Sequence, residues 1–191
     1  MDAAARRLEA VIFISPQPVP PEHLAAACGL DEPALAAALS ALAAEYAPGR
    51  HGLELLEVAG GWTLAVARDC EGALERYAGA RPPEALSPAL IETLAVVAYL
   101  QPTTRAEVAQ VRGVSSEWAL SALVERGLVE EQGRADTPGA PIIYATSQRF
   151  LQLFGLRSLA DLEDLDTFAL DAQDAEELRA RLLANAARRA P

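Results

Sequence analysis

Residues 123–155 read LVERGLVEEQGRADTPGAPIIYATSQRFLQLFG, and this stretch decides the fold. A helical run ends at Gly127, two β-like runs flank the turn-forming residues ADTPGAP, and a second helical run ends at Gly155. Glycine ends helices readily because it adopts positive φ angles at no steric cost. A helix followed by a β-hairpin is how a winged helix ends, so the stretch predicts that fold.

Three helical segments lead into this hairpin, and each has a recognisable start. Ser87 is placed as an N-cap with Pro88 at the first helical position. Thr104 and Glu107 have the spacing of a capping box. The third segment is predicted to begin at Ser115. Three helices and a hairpin complete the winged helix-turn-helix.

The first half of the chain repeats this order at a constant offset of 84 positions, with no gap. A turn proline, a helix-ending glycine and an N-cap each match their counterpart. The matches place Gln17-Pro18 on Gln101-Pro102, Gly29 on Gly113 and Asp31 on Ser115. The first hairpin, LELLEVAGGWTLAVA, is predicted to turn at Gly60-Gly61. A chance match in an alanine-rich chain is the alternative.

We therefore predict a mainly α fold with small β-hairpin wings (α+β), made of two tandem winged helix-turn-helix domains. The expected boundaries are residues 1–83 for the first domain and 84–160 for the second. Residues 161–191 are expected to form an acidic tail, partly helical or disordered.

The charge of the chain is unusual for a DNA-binding fold. The formal net charge is -11, and the sequence contains no lysine. Contacts from lysine and arginine to phosphate supply most of the affinity of DNA-binding proteins. No apolar run approaches the roughly 20 residues needed to cross a membrane. We expect at most weak or indirect DNA contact and no membrane association.

Signatures of catalysis or metal binding are missing from the sequence. Cys28 and Cys70 are far apart, and His23 and His51 have no partner motif. There is no nucleophile elbow and no phosphate-binding glycine loop. We expect no catalytic residue, no metal and no cofactor, and a reducing cytoplasm as the location.

The helix SSEWALSALVER would enter the major groove if the second domain read DNA. On a helical wheel, the core face is Leu120, Leu123 and Val124. The outward face is Trp118, Ser121, Ala122 and Glu125, with Arg126 at its edge. A groove reader places Arg, Asn or Gln on that face. The matching first-half helix, DEPALAAALSALAAEY, has no basic residue. These outward faces favour a protein partner.

Three stretches carry a family resemblance: LEAVIFISPQPVPPEHLAAACG, ETLAVVAYLQPTTRAEVAQVRGV and LVERGLVEEQGRADTPGAPIIYATSQRFLQLFGLRSLADL. Over about residues 6–165, the chain is similar to the segregation and condensation protein B family. Its most specific matches are Gln101-Pro102, Thr104-Arg105-Ala106-Glu107, Arg112-Gly113, Gly133-Arg134, Asp136-Thr137-Pro138-Gly139, Pro141, Tyr144 and Phe154-Gly155. Ala140 stands where the family commonly has arginine, and Leu100 where it commonly has lysine.

The resemblance implies a non-catalytic accessory subunit of the bacterial SMC (condensin-like) complex, which compacts and segregates chromosomes. Such a subunit forms a homodimer, largely through its N-terminal winged helix. The dimer binds the central region of the kleisin subunit, segregation and condensation protein A, and reaches the SMC ATPase through it. The implied location is cytoplasmic and nucleoid-associated. A winged-helix transcription regulator is the alternative.

Two apolar surfaces are candidates for these contacts. Val11, Ile12, Phe13 and Ile14 run consecutively round the opening helix, so one core cannot cover all of them and a twin subunit is the predicted cover. Burial under the segment before Ser87 is the alternative.

The second candidate surface lies on the helix from Pro88. Its predicted core face is Leu90, Ile91, Leu94, Val97 and Ala98. Its opposite face, Glu92, Val96, Tyr99 and Leu100, is mostly apolar. We predict that Val96, Tyr99, Leu100 and Trp118 bind the kleisin. Packing of the first domain or the tail over the same stripe is the alternative.

Overall fold

The computed structural model describes residues 1–78 and 85–164. They fall into two compact units. The first contains Met1–Ala85 and Gly155–Ser158, and the second contains Leu86–Phe154 and the residues from Leu159. The predicted boundary at residues 83 and 84 touches positions outside the described residues, as does most of the predicted tail.

Both units have the predicted order of three helices and a hairpin, which confirms the fold class. The first contains α1 (Ala3–Ile14), α2 (Pro21–Cys28), α3 (Glu32–Glu45), β1 (Leu53–Val58), β2 (Gly61–Val66) and α4 (Glu71–Ala78). The second contains α5 (Pro88–Leu100), β3 (Thr103–Thr104), α6 (Arg105–Arg112), α7 (Glu117–Glu125), β4 (Val129–Arg134), β5 (Ile142–Thr146) and α8 (Gln148–Phe154). A short 3-10 turn follows at Leu159–Asp161.

The core of the first winged helix is built from leucines of α1, α2 and α3. Leu8, Leu24 and Leu42 are fully buried there. Side-chain caps define two of the helix starts, because the carboxylates of Asp2 and Asp31 accept hydrogen bonds from backbone N–H groups three residues later.

The first hairpin corrects the predicted turn. Its two turn residues are Ala59 and Gly60, both at positive φ (52° and 73°), and Gly61 already belongs to β2. Two successive positive φ angles suit the right-handed twist of a two-residue hairpin. A Cβ on Gly61 would lie 2.8 Å from the carbonyl carbon of Pro18. The lack of a side chain at Gly61 therefore lets the backbone of residues 18 and 19 lie close to β2, and Gly61 is not needed for the turn.

The internal repeat extends to the backbone. Helices α2 and α6 begin at Pro21 and Arg105 and are both 8 residues long, which preserves the offset of 84. Gly29 and Gly113 end them with φ angles of 63° and 69°. Val19 bridges Trp62 of β2. The position 84 residues further on, Thr103, pairs with the matching strand β5.

The predicted helix starts of the second winged helix are mostly confirmed. Ser87 caps α5, and Thr104 and Glu107 form the complete capping box at the start of α6. Helix α7 is the exception, because it begins at Glu117 with the buried Ser116 as N-cap. Ser115, the expected N-cap, lies one residue before the observed one. The predicted match of Asp31 with Ser115 as N-caps is therefore wrong, because Asp31 is the N-cap of α3 and Ser116 is the N-cap of α7.

Helix α5 is rotated relative to the predicted wheel. Ile91, expected in the core, is 53% exposed, whereas Leu100, expected on the outward face, is 8% exposed. The cause is Thr93, which is fully buried because its hydroxyl donates to the carbonyl of Ala89 at 2.7 Å. Because its hydroxyl is hydrogen-bonded, Thr93 can lie in the core. The buried side of α5 is therefore turned toward Leu100, and Ile91 is left exposed.

Gln101 joins the end of α5 to the sheet, whose strand order is β3-β5-β4. Its Oε1 accepts hydrogen bonds from the backbone N–H and the hydroxyl of Thr146, at 2.8 and 2.9 Å. Its Nε2 donates to the carbonyl of Ala98 at 2.9 Å. One side chain thus links the first helix of the second unit to the last strand of its wing.

Candidate functional site

The outward face of α7 is the first candidate site, and the structure confirms most of its predicted orientation. Leu120 and Leu123 are buried, and Trp118, Ser121 and Glu125 are exposed, whereas Ala122 and Val124 are both half-buried. Trp118 is 67% exposed. A large indole is thus held in solvent by a helix whose other side is fixed in the core.

Arginines around this face are engaged by the chain itself. The guanidinium of Arg105 lies 2.6 Å from the carboxylate of Glu117. That of Arg112 lies 2.9 Å from the carboxylate of Glu92, and the side chain of Arg112 is only 9% exposed. An arginine paired with a carboxylate offers little attraction to a phosphate.

The wing arginine is also engaged. Nη1 of Arg134 donates to the carbonyl of Ala140 at 2.9 Å and links the two ends of the wing loop. Ala140 itself has a positive φ of 40°, next to Gly139 at 88°. This hydrogen bond helps to hold a loop conformation that a non-glycine residue adopts only at some cost.

Tyr144 of β5 shows the electrostatic character of the region where α6, α7 and β4 meet. Burial raises the pKa of its phenol, and the carboxylate of Glu131 raises it further. Arg105 lowers this pKa, and Glu117 raises it. Carboxylates of α7 and of the wing therefore both act on this one buried hydroxyl, and the local field is mainly negative.

The second candidate surface, on α5, is only partly present. Val96 and Tyr99 are half-buried, and Leu100 lies in the core. The hydroxyl of Tyr99 donates to the carbonyl of Glu163 at 2.8 Å. Burial raises the pKa of Tyr99, and the carboxylates of Glu163 and Asp164 add to the effect. The four predicted contact residues therefore do not share one exposed face.

Apolar side chains at the end of α1 form the third candidate surface. Phe13 is 71% exposed and Ile14 is 78% exposed, whereas Ile12 is buried in the core and Val11 is half-buried. As expected, one core does not cover the whole run. Only two of its four residues are left fully on the outside.

Sequence reasoning did not single out α4, which also exposes apolar side chains. Leu74 and Tyr77 are 49% and 93% exposed, and they lie three residues apart on one side of the helix. The spacing of apolar residues in EGALERYA is the signal that identifies this face.

Metal-binding and membrane-spanning features are limited in the described part of the chain. Residues 1–78 and 85–164 contain no group of three or more His, Cys, Asp or Glu side chains that could hold a metal ion. Within the same ranges no single helix has the length and apolar character to span a membrane. Helices α2 and α3 together have both but are bent by 101°.

The geometry defines a tandem winged-helix protein whose second outward helix, α7, carries an exposed tryptophan and exposed carboxylates. The model of one family, described as "Segregation and condensation complex subunit ScpB", matches residues 6–165. The chain therefore belongs to this family of segregation and condensation proteins.

Relatives named "Segregation and condensation protein B" agree with this assignment. The one from Symbiobacterium thermophilum is 41% identical over 83% of this chain and 72% of its own length. The one from Syntrophotalea carbinolica is 39% identical over 90% of this chain and 86% of its own length. A crystal structure of ScpB from Mycobacterium tuberculosis is 36% identical, covers 82% of this chain and 98% of that chain, and gives a TM-score of 0.38.

Proposed function

We propose that this chain is a non-catalytic subunit of a condensin-like SMC complex. As a homodimer it binds the kleisin subunit, segregation and condensation protein A, and through it the SMC ATPase. In this way it supports chromosome condensation and segregation in the cytoplasm, at the nucleoid. Membership of the family over residues 6–165 supports this role.

The exposed tryptophan on α7 is the observation that carries the choice of a protein partner. Trp118 lies on the helix that would read bases in a DNA-binding winged helix. Its exposed neighbours on that helix are Glu117, Ser121 and Glu125. Tryptophan is enriched among the residues that dominate protein interfaces, and carboxylates repel phosphate.

The proposed kleisin surface consists of Trp118 on α7 with Val96 and Tyr99 on α5. Leu100 is left out because its side chain lies in the core. The first domain, through Phe13 and Ile14, is the proposed dimer surface, because two large apolar side chains in solvent favour burial by a second copy.

Mixing the purified protein with the central fragment of the kleisin tests the binding partner. We expect a stable complex whose mass, measured by light scattering, exceeds that of either component. We also expect binding to duplex DNA no tighter than the non-specific range of about 10⁻⁴ to 10⁻⁶ M. Sub-micromolar affinity for DNA at physiological salt, without kleisin binding, would instead support a transcription regulator.

Sedimentation of the whole chain tests the homodimer. We expect a dimer at tens of micromolar, and we expect Phe13→Asp with Ile14→Asp to dissociate it while the melting temperature of the monomer is retained. Ala36→Asp with Ala37→Asp on the exposed side of α3 is the control with the same charge change. This part of the proposal would be contradicted if the unchanged protein sediments as a monomer. It would also be contradicted if the protein with both substitutions, at Phe13 and Ile14, still sediments as a dimer.

A further inference from the structure

We propose that the outward face of α7 binds a cationic segment of its partner protein. In this arrangement an arginine or lysine of the partner lies over the indole of Trp118, on the side of α7 that also carries the carboxylate of Glu125. This inference rests on the proposed function, because it takes the kleisin as the partner. It adds the chemistry of the segment that is recognised.

The indole is built as a fixed platform. Trp118 is 67% exposed, whereas Ala119 and Leu120, its neighbours in α7, are 3% and 2% exposed. The helix therefore cannot rotate to hide the ring without opening the core. Tryptophan is the aromatic side chain that attracts a cation most strongly over its face.

One carboxylate lies on the same side of α7 as the indole. Glu125 follows the tryptophan by seven positions, which is two turns along the helix. Ser121 lies between Trp118 and Glu125 on that side and is exposed. The stripe offers an aromatic face, a hydroxyl and the negative charge of Glu125, while the carboxylate of Glu117 beside it is paired with Arg105 at 2.6 Å.

The wing adds to the negative field. Glu130 and Glu131 are exposed on β4, and Glu131 and Glu117 both act on the hydroxyl of Tyr144. The adjacent cation, Arg105, is already paired with Glu117 at 2.6 Å. Charge complementarity therefore selects a basic segment and disfavours a nucleic acid.

A purely apolar partner fits this face less well. It would cover the indole but would also remove the carboxylate of Glu125 from water without supplying a partner charge, which is costly. A guanidinium suits an indole next to a carboxylate, because its plane stacks on an aromatic ring while its N–H groups bind a carboxylate. Arginine is thus the best single match, and lysine is the second.

The test uses the fluorescence of Trp118 and the central fragment of the kleisin. The chain contains two tryptophans, so Trp62→Phe leaves Trp118 as the sole reporter. We expect its emission to change on binding. In the otherwise unchanged protein, Trp118→Ala should weaken binding by about tenfold or more, and Trp118→Phe by less. The melting temperature should stay the same in both, because the ring is exposed.

Neutralising the carboxylates tests the charge of the partner. We expect Glu125→Gln with Glu131→Gln to weaken binding about fivefold or more and to reduce its dependence on salt between about 50 and 300 mM. Glu117 is left unchanged because its loss would release Arg105. Glu22→Gln with Glu32→Gln in the first unit changes the net charge equally and should leave the affinity unchanged. These residues are also exposed.

Each outcome decides the matter. If the fragment binds but none of these changes alters affinity, the kleisin lies elsewhere; the inference and the place of Trp118 in the proposed kleisin surface then fail, while kleisin binding itself stands. If only the tryptophan matters and the carboxylates do not, the cationic chemistry is wrong. Tighter binding after the carboxylates are replaced would also contradict the inference of a cationic partner. If the fragment does not bind the unchanged protein at all, the kleisin assignment and this inference fall together.

Discussion

The two winged helices follow one plan but attach their hairpins differently. In the first, Val19 bridges Trp62, and the adjacent Gly61 leaves room for the backbone at residues 18 and 19. In the second, Thr103 and Thr104 form a two-residue strand paired with β5. When Trp62, the partner of Val19, is aligned with Tyr144, the partner of Thr103, Gly61 aligns with Ile143. Ile143 pairs with Thr104 and has a full side chain. The same topology thus tolerates either close backbone approach or ordinary pairing.

The loops of the two hairpins also differ. The first closes with Ala59-Gly60 alone, whereas the second uses residues 135–141 and the hydrogen bond from Arg134 to Ala140. The first outward helix, α3, is rich in alanine and lacks basic residues, whereas α7 carries Trp118. A repeated backbone therefore supports two unlike surfaces.

Gly61→Ala is the substitution with the largest expected effect on stability in this comparison. A Cβ at this position would lie 2.8 to 2.9 Å from backbone atoms of Pro18 and Val19, and backbone cannot move aside as a flexible side chain does. We expect a loss of about 3 kcal/mol in the free energy of unfolding of the first unit, at the upper end of overpacking effects. Chemical denaturation followed by circular dichroism measures it.

Gly52→Ala is the matched control in the same unit. Its added Cβ would meet only the Sγ of Cys70 at 3.5 Å, an ordinary contact, so we expect a change within about 0.5 kcal/mol. Equal effects at the two glycines would show that the loss reflects chain entropy, and the close approach of residues 18 and 19 would then not distinguish the two halves.

A smaller effect is expected from Gln101→Ala in the second unit. The change removes two hydrogen bonds accepted from Thr146 and one donated to Ala98. It leaves a partly buried N–H group without this partner, so we expect a loss of about 2 kcal/mol. Thermal melting of the whole chain measures it. Gln110→Ala, at an exposed position of α6, is the control and should cost clearly less. Equal losses would mean that the hydrogen bonds of Gln101 add nothing to stability.

Local signals were the predictable part of the fold. Ser87, Thr104 and Gly113 were assigned correctly because caps and left-handed glycines act within a few residues of the helix ends they define. The outward position of Trp118 was also predictable, since apolar and polar residues of α7 separate clearly on a wheel.

Features that depend on distant contacts were not predictable. Helix α5 is apolar on nearly every side, so its sequence does not indicate which side faces the core, and Ile91 and Leu100 were misplaced. The partner of Tyr99 is 64 residues away at Glu163. The role of Gly61 depends on Pro18, which no local pattern connects to it. The residues that carry the family resemblance include several such structural contacts, among them Gln101 and Arg134.

The smallest expected effect concerns how the stability of the two units depends on pH. Tyr46 donates a hydrogen bond to the carboxylate of Glu9, and this bond, burial and the charges of Glu9 and Glu45 raise its pKa from 10.0 to about 12. The folded state therefore keeps a proton that the unfolded chain loses near pH 10. The stability this provides is complete below pH 10 and is lost as the pH rises toward 12. We expect Tyr46→Phe to cost about 1 kcal/mol at neutral pH and to flatten this decline.

Denaturation of the two proteins at several pH values between 9 and about 12 measures the difference. Tyr77→Phe is the control, because Tyr77 is 93% exposed and should leave the decline unchanged. Burial also raises the pKa of Tyr99 and Tyr144 in the second unit, so a part of the decline should persist in Tyr46→Phe. If the decline is the same with and without the Tyr46 hydroxyl, the contact with Glu9 contributes nothing to stability. The alkaline sensitivity would then come from other groups whose pKa is raised, among them Tyr99 and Tyr144 of the second unit and Cys70 of the first.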